Sequence, residues 1–292
     1  MVNNFMANKN IMDIKQLITF AAMFKKSAYI LVLALILSVT SCSHFNKLVK
    51  SGTPEEKYEA AQKYYTKADY YHALQLYEEL IVLYRGNDKI KDIYYNYAYS
   101  HYYEKDYILA SYHFKYFAKT FSRDEKAEDA LYMSAFCKYL LSASYNLDQE
   151  STIAAIEEMQ IFINQYPESK KIEKANLIID ELRSKILKKD FEIAKLYYQT
   201  DYYLAAISAL NQHIKDYPSS PYKEECMYLI IKVNYDYATK SVITKQKERF
   251  TNAISAYNDY AAKYSTAQHS KEAMKIFRSA QIQVKRIDNK LI

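Results

Sequence analysis

The 292-residue chain has two glycines, four prolines, three cysteines and no tryptophan. Two glycines cannot supply a Rossmann turn, a P-loop or a set of tight β-hairpins, because each of these needs glycine for positive φ or close backbone approach. The four prolines all fall near expected helix ends, as an all-helical chain requires. Six histidines give no H-x-x-x-H or H-E-x-x-H spacing, so no metal set is expected. His101, His113 and His213 fall on helix faces and read as core or groove residues. Glu78-Glu79 and Glu157-Glu158 are sequence neighbours, so their side chains diverge on a helix and read as solvated faces rather than a catalytic pair. Neither a catalytic constellation nor a cofactor site emerges, and the expected role is non-enzymatic. The formal charge of +6 falls to about +3 without residues 1–41, too mild a balance to argue for nucleic acid.

What is present begins near the N-terminus. Lys25-Lys26 precede the apolar run Ala28–Val39, which leads through Val39-Thr40-Ser41 to Cys42. The run is shorter than the ~20 residues a membrane-spanning helix needs, so it reads as the apolar core of a signal peptide. Small residues before a Cys have the layout of a bacterial lipoprotein signal. Cleavage there would leave Cys42 first in the mature chain, its sulfur free to carry a diacylglycerol anchor. Met23 gives a signal of ordinary proportions and is the expected true start. Ser43, directly after the lipidated position, favours sorting to the outer membrane. Residues 42–52 show no apolar period and are expected to form a flexible tether.

Beyond the tether the sequence repeats. Asp-Tyr-x-x-Ala occurs at Asp69–Ala73, Asp106–Ala110 and Asp201–Ala205. Five alanines are each followed eleven residues later by an aromatic: Ala73 by Tyr84, Ala110 by Phe121, Ala155 by Tyr166, Ala206 by Tyr217 and Ala253 by Tyr264. Eleven residues are about three helical turns, which puts both ends on one face. In the fourth copy, Ala205 and Ala206 compete for the anchor position. Ala61, Ala98 and Ala194 supply a second small residue about twelve positions earlier, which lets two successive helices approach closely. This is the helix–turn–helix unit of a tetratricopeptide repeat (TPR), with anchors 37 to 51 residues apart rather than the usual ~34. The expected fold is all-α: a right-handed superhelix of about five TPR-like hairpins and a closing helix near 270–288. An N-terminal pair over 53–121 would be followed by the remaining repeats over 122–292. Thr53-Pro54-Glu55-Glu56 and Ser122-x-x-Glu125 read as capping boxes, and Ser220 as the cap of a later helix. Lys170 to Gln199 lacks Gly and Pro and reads as one long helix. Cys137 and Cys226 fall on first helices of different repeats and are expected to be buried thiols rather than a disulfide.

Tyrosine is the residue in excess, at 33. On the first helices of the first two repeats, which line the concave face of a TPR array, helical spacing groups Tyr58, Gln62 and Tyr65 with Tyr95, Asn96, Tyr99, Tyr102 and Tyr103. Tyr94 and Tyr97 supply the packing face of the second of these helices. A large ring with a hydroxyl and few rotatable bonds suits peptide recognition, so the cluster reads as a peptide-binding groove.

The lipobox, the TPR-like units and the junctions Tyr166-Pro-Glu-Ser169 and Tyr217-Pro-Ser-Ser-Pro221 together resemble the YfiO (BamD) family of outer-membrane assembly lipoproteins, from Cys42 to the C-terminus. The resemblance implies a subunit of the β-barrel assembly machinery, lipid-anchored to the outer membrane and facing the periplasm. It implies that the N-terminal repeats bind signals of unfolded outer-membrane proteins, and that the C-terminal repeats dock to the POTRA region of a BamA-like barrel protein. Lys240, Lys245, Lys247 and Arg249 would contribute charge to that docking. Two rival expectations are a pilotin-like TPR lipoprotein that escorts a secretin or pilus component, and a glycan-binding SusD-type lipoprotein.

Overall fold

The computed structural model describes residues 45–290, and the expectations placed on 1–44, including Cys42 and its signal, lie outside them. A helical segment over 45–51 precedes α1 (Pro54–Thr66), α2 (Tyr70–Leu83), α3 (Ile90–Tyr103), α4 (Tyr107–Thr120), α5 (Ala127–Leu141), α6 (Glu150–Gln165), α7 (Ile172–Gln199), α8 (Tyr203–Asp216), α9 (Lys223–Thr239), α10 (Ile243–Tyr264) and α11 (Ser270–Lys290). Pairing α1 with α2, α3 with α4, α5 with α6, α7 with α8 and α9 with α10 gives five TPR-like hairpins, and α11 closes the series. The chain forms two compact units, one ending at Asp124 and the other beginning at Glu125.

The alanine anchors carry the packing. Ala73, Ala110, Ala155, Ala206 and Ala253 are fully buried, as are Ala61, Ala98 and Ala194 on the preceding helices. The aromatics eleven residues on mark the helix ends: Tyr84, Phe121, Tyr166 and Tyr217 are C-caps, and Tyr264 is the last residue of α10. In the third and fifth hairpins Ala135 and Ala238 take the small-residue role, displaced from the expected spacing by the loop over 142–149 and by the longer α9 and α10. Gln149 organises that loop, donating to the carbonyls of Ser144, Leu147 and Asp148 and accepting from the Thr152 hydroxyl at 2.8 Å. The 28-residue α7 explains the longest repeat: Ala175, Ile178, Ile179 and Leu182 bury its first half, while Phe191 and Ala194 bury its second half. The second half joins the core shared by α8, α9, α10 and α11.

The turn inside a hairpin explains why glycine is so scarce. The backbone N–H of Asp69, Asp106 and Tyr202 each bonds a carbonyl five residues back, on Tyr64, His101 and Tyr197, at 2.8–2.9 Å. This is the Schellman closure, whose left-handed position usually holds glycine. Here Ala68, Lys105 and Asp201 occupy it, at φ 58°, 63° and 64°. Asp69 and Asp106 then cap the next helix by accepting from His72 and Leu109 N–H. Asp201 sits one position earlier, in the left-handed turn, and Tyr202 becomes the cap residue. The third Asp-Tyr-x-x-Ala copy is therefore displaced by one, and Ala206 rather than Ala205 is the anchor.

Several local expectations change. The Thr53 capping box forms in both directions, with Pro54 opening α1. The box expected at Ser122 does not: α5 begins later, after Lys126, with no side-chain cap bond. Ser220 is not the cap residue of α9; its Oγ accepts the N–H of Tyr222, which is. Ser169 does the same for Lys171 ahead of α7. Glu158 is buried against Lys138 at 3.1 Å rather than solvated. Residues 45–51 are no loose tether either. Phe45 is 6% exposed, 4.4 Å from the His72 ring and 5.5 Å from Tyr64. The buried Lys57 donates to the Val49 carbonyl at 2.7 Å and pairs with Glu79, which ties the segment to α1 and α2. Cys137 and Cys226 are free, buried thiols.

Candidate protein-binding surface

The expected surface lies in the first unit, on α1 and α3. Four residues per helical step bring Tyr95, Tyr99 and Tyr103 onto one stripe of α3. Tyr99 lies 4.9 Å from Tyr95 and 5.9 Å from Tyr103, and Tyr102 packs beside Tyr103 at 5.4 Å. Across the helix pair, Tyr65 meets Tyr103 edge-on at 6.4 Å. Tyr70, at the start of α2, stacks on Tyr103 at 4.5 Å with ring planes 19° apart. Asn96 Nδ2 donates to Gln62 Oε1 at 3.3 Å, which fixes the two helices side by side beneath the rings. The result is a continuous aromatic ladder from Tyr65 and Tyr70 through Tyr103 and Tyr99 to Tyr95.

The ladder is seated on the core as well as open to solvent. Tyr99 contacts Phe114 at 4.8 Å and Tyr95 contacts Phe117 at 5.4 Å, and both phenylalanines are fully buried in α4. Tyr103 is 45% exposed; Tyr65, Tyr95, Tyr99 and Tyr102 are half-buried. Burial, then the neighbouring Tyr103 and Tyr70, push the Tyr65 phenol far up, so it stays a proton donor at any physiological pH. Tyr94 and Tyr97 meet other residues of α4 and stay out of the ladder: Tyr94 stacks on Tyr116 at 4.9 Å and Tyr97 meets His113 at 4.7 Å.

Tyr58 is not part of the ladder. It packs 6.0 Å from Tyr84, with the Lys89 ammonium 4.8 Å above its ring. Tyr70 belongs to the ladder but was absent from the expected set. Its signal was its position in Asp69-Tyr70-x-x-Ala73, which puts a ring beside the hairpin turn.

The basic residues considered for docking lie in the second unit, and each has an internal contact. Lys240 pairs with Asp201 at 2.8 Å, Lys245 with Glu248 at 3.4 Å and Lys247 with Asp288 at 2.5 Å. The Arg249 guanidinium lies 3.7 Å over the Tyr237 ring and donates to Ser241.

One constellation has the outline of catalytic machinery. His213 Nδ1 lies 2.9 Å from Asp190 Oδ2, and its Nε2 lies 2.8 Å from Ser220 Oγ. His213 is fully buried, and Ser220 Oγ also accepts the Tyr222 N–H. At the equivalent junction Ser169 bonds Lys171 N–H and the Glu128 carboxylate in the same fashion. The Ser-His-Asp set thus pins a repeat junction and offers no nucleophile to solvent. Among the described residues no group of three or more His, Cys, Asp or Glu could hold a metal ion, and no helix is long and apolar enough to cross a membrane.

The model of a family described as "YfiO: Outer membrane lipoprotein" matches residues 50–250. The outer membrane protein assembly factor BamD of Caulobacter vibrioides is 22% identical over 161 residues, which cover 55% of this chain and 51% of that protein. The chain thus spans about half the length of this curated relative. Since the family match covers more than half of the sequence, from the first hairpin into α10, the chain belongs to the YfiO family of outer membrane lipoproteins.

Proposed function

We propose that this protein is a non-enzymatic subunit of outer-membrane protein assembly, anchored through lipid on Cys42 at the periplasmic face of the outer membrane. Its first unit binds extended, aromatic-rich segments of unfolded outer-membrane proteins on the Tyr65–Tyr95 ladder. Its second unit docks to the POTRA region of a BamA-like barrel protein, and Lys240, Lys245, Lys247 and Arg249 supply positive charge there. The observation that carries the reading is the ladder itself. Ring-on-ring packing holds the phenols in place before a peptide arrives, so little side-chain entropy is lost on binding, and rings with hydroxyls match both the aromatic side chains and the backbone of an extended segment. Membership of a family of outer membrane lipoproteins supports that cellular setting.

Two experiments test it. Affinity purification from outer membranes should recover a POTRA-bearing barrel protein; recovery of a secretin instead would overturn the assembly role. Peptide crosslinking tests the ladder. Replacing Tyr95 and Tyr99 would also strip packing from Phe114 and Phe117, so the informative variant is Tyr102→Ser with Tyr103→Ser. Crosslinking to a C-terminal outer-membrane-protein peptide should fall at least fivefold with unchanged helicity, and undiminished crosslinking would refute the site.

A further inference from the structure

The first unit has an exposed apolar edge that neither its core nor the tyrosine ladder uses. It lies at the hairpin turns. Tyr71 on the first turn of α2 is 62% exposed, and Ile108 and Tyr112 on α4 are 68% and 63% exposed. Ile108 and Tyr112 are four apart and share one helix face. The stacking of Tyr70 on Tyr103 at 4.5 Å brings the α1–α2 turn beside the α3–α4 turn, so these side chains belong to one end of the unit. Lys67 and Lys105, both exposed, stand in the same two turns. Exposed aliphatic and tyrosine rings with lysines alongside have the composition of an interfacial membrane contact.

Phe45 fixes what this edge faces. Its ring packs on His72 and Tyr64, beside the α1–α2 turn, and the His72 ring lies 5.4 Å from Tyr71. Only Ser43 and His44 separate Phe45 from Cys42, three Cα–Cα steps and a reach of at most ~10 Å. A lipid on Cys42 must therefore enter the bilayer within ~10 Å of Phe45, a distance comparable to the depth of the headgroup layer. We infer that the turn edge of the first unit, with Tyr71, Ile108 and Tyr112, rests in the phospholipid headgroup interface of the membrane that holds the anchor. The inference rests on the proposed lipidation of Cys42. Leu83 provides an internal control: it is also exposed, at 53%, but stands at the opposite end of α2, ~20 Å away along the helix.

The test uses the full lipidated protein in vesicles of phosphatidylethanolamine and phosphatidylglycerol. An environment-sensitive fluorophore is attached through Ile108→Cys or, separately, Leu83→Cys, and quenched by headgroup spin-labelled lipid. Mass spectrometry first establishes the lipid on Cys42. The position 108 probe should be quenched at least threefold more strongly than the position 83 probe. Equal quenching in lipidated protein overturns the membrane-facing edge and leaves the anchor standing; a mature chain without lipid on Cys42 overturns the anchor and this inference together.

Discussion

Replacing His113 by Leu should remove most of the acid sensitivity of the first unit. His113 and His101 stack at 5.3 Å with ring planes 16° apart, between α3 and α4. Tyr94, Tyr97 and Tyr112 surround His113, and its Nδ1 has no hydrogen-bond partner among the described residues. Burial first, and then repulsion from His101, lower the His113 pKa to about 4, with Asp106 opposing. Burial lowers His101 as well, against Asp106 and Glu78. The sign follows from linkage. The unfolded chain takes up a proton near pH ~6.5 and the folded chain not until about 4, so stability is full above pH ~6.5 and is lost as pH falls towards 4. Between pH 7.5 and 5.0 this amounts to about 2 kcal/mol from His113, or ~30-fold in the opening equilibrium. Amide hydrogen exchange in α3 and α4, corrected for intrinsic rates, reads that equilibrium locally. Wild-type protection should fall at least ~30-fold over the interval; His113→Leu should remove the His113 share and leave only the loss due to His101. A variant that loses protection as steeply as wild type would refute the reasoning.

Ala68→Gly and Lys105→Gly should each raise the melting temperature, because relief of left-handed strain exceeds the added unfolded-state entropy by up to about 1 kcal/mol. Asp201→Gly should do worse than either, since Asp201 also holds Lys240 and Tyr203. Lys57→Ala should destabilise the first unit by about 1–2 kcal/mol, because it strips the Val49 carbonyl and Glu79 of a partner; limited proteolysis should then cut within 45–51 before any other helix. Burial pushes both Cys137 and Cys226 thiols up to about 12. In a Cys42→Ser chain neither should react with a maleimide at neutral pH until denaturant is added, and labelling of the folded protein would show that the helices around them open.

The repeat architecture was legible because its signal is stereochemical. An alanine that must be small and an aromatic that must close three turns later leave a fixed spacing, and all five anchors are buried. Where polar side chains decide the local geometry, the sequence misled. Ser122 and Ser220 look like caps, but α5 and α9 start later, after Lys126 and Tyr222, and Ser220 Oγ is engaged by His213 and the Tyr222 N–H instead. Asp201 imitates Asp69 and Asp106 in sequence yet holds the turn position before the cap. The ladder was visible as a helical stripe on α3. Its separation from Tyr58, and its extension to Tyr70, depend on which end of the hairpin each ring occupies, which spacing along one helix does not specify. The buried position of Phe45 had no periodic signal, since a single ring over a segment of seven helical residues makes no pattern.

The place of α9 bears on the order in which the chain is made. Cys226, Met227, Leu229, Ile231, Val233 and Ala238 bury this helix on several sides, against α8, α10 and α11. The first unit ends at Asp124, so its own helices can pair with one another once that residue is synthesised. The second cannot cover α9 until the last helix, Ser270–Lys290, has emerged. A chain delivered N-terminus first therefore presents a finished tyrosine surface while its other half still shows apolar side chains, and a truncation before Ser270 would leave that half permanently open to aggregation and proteolysis.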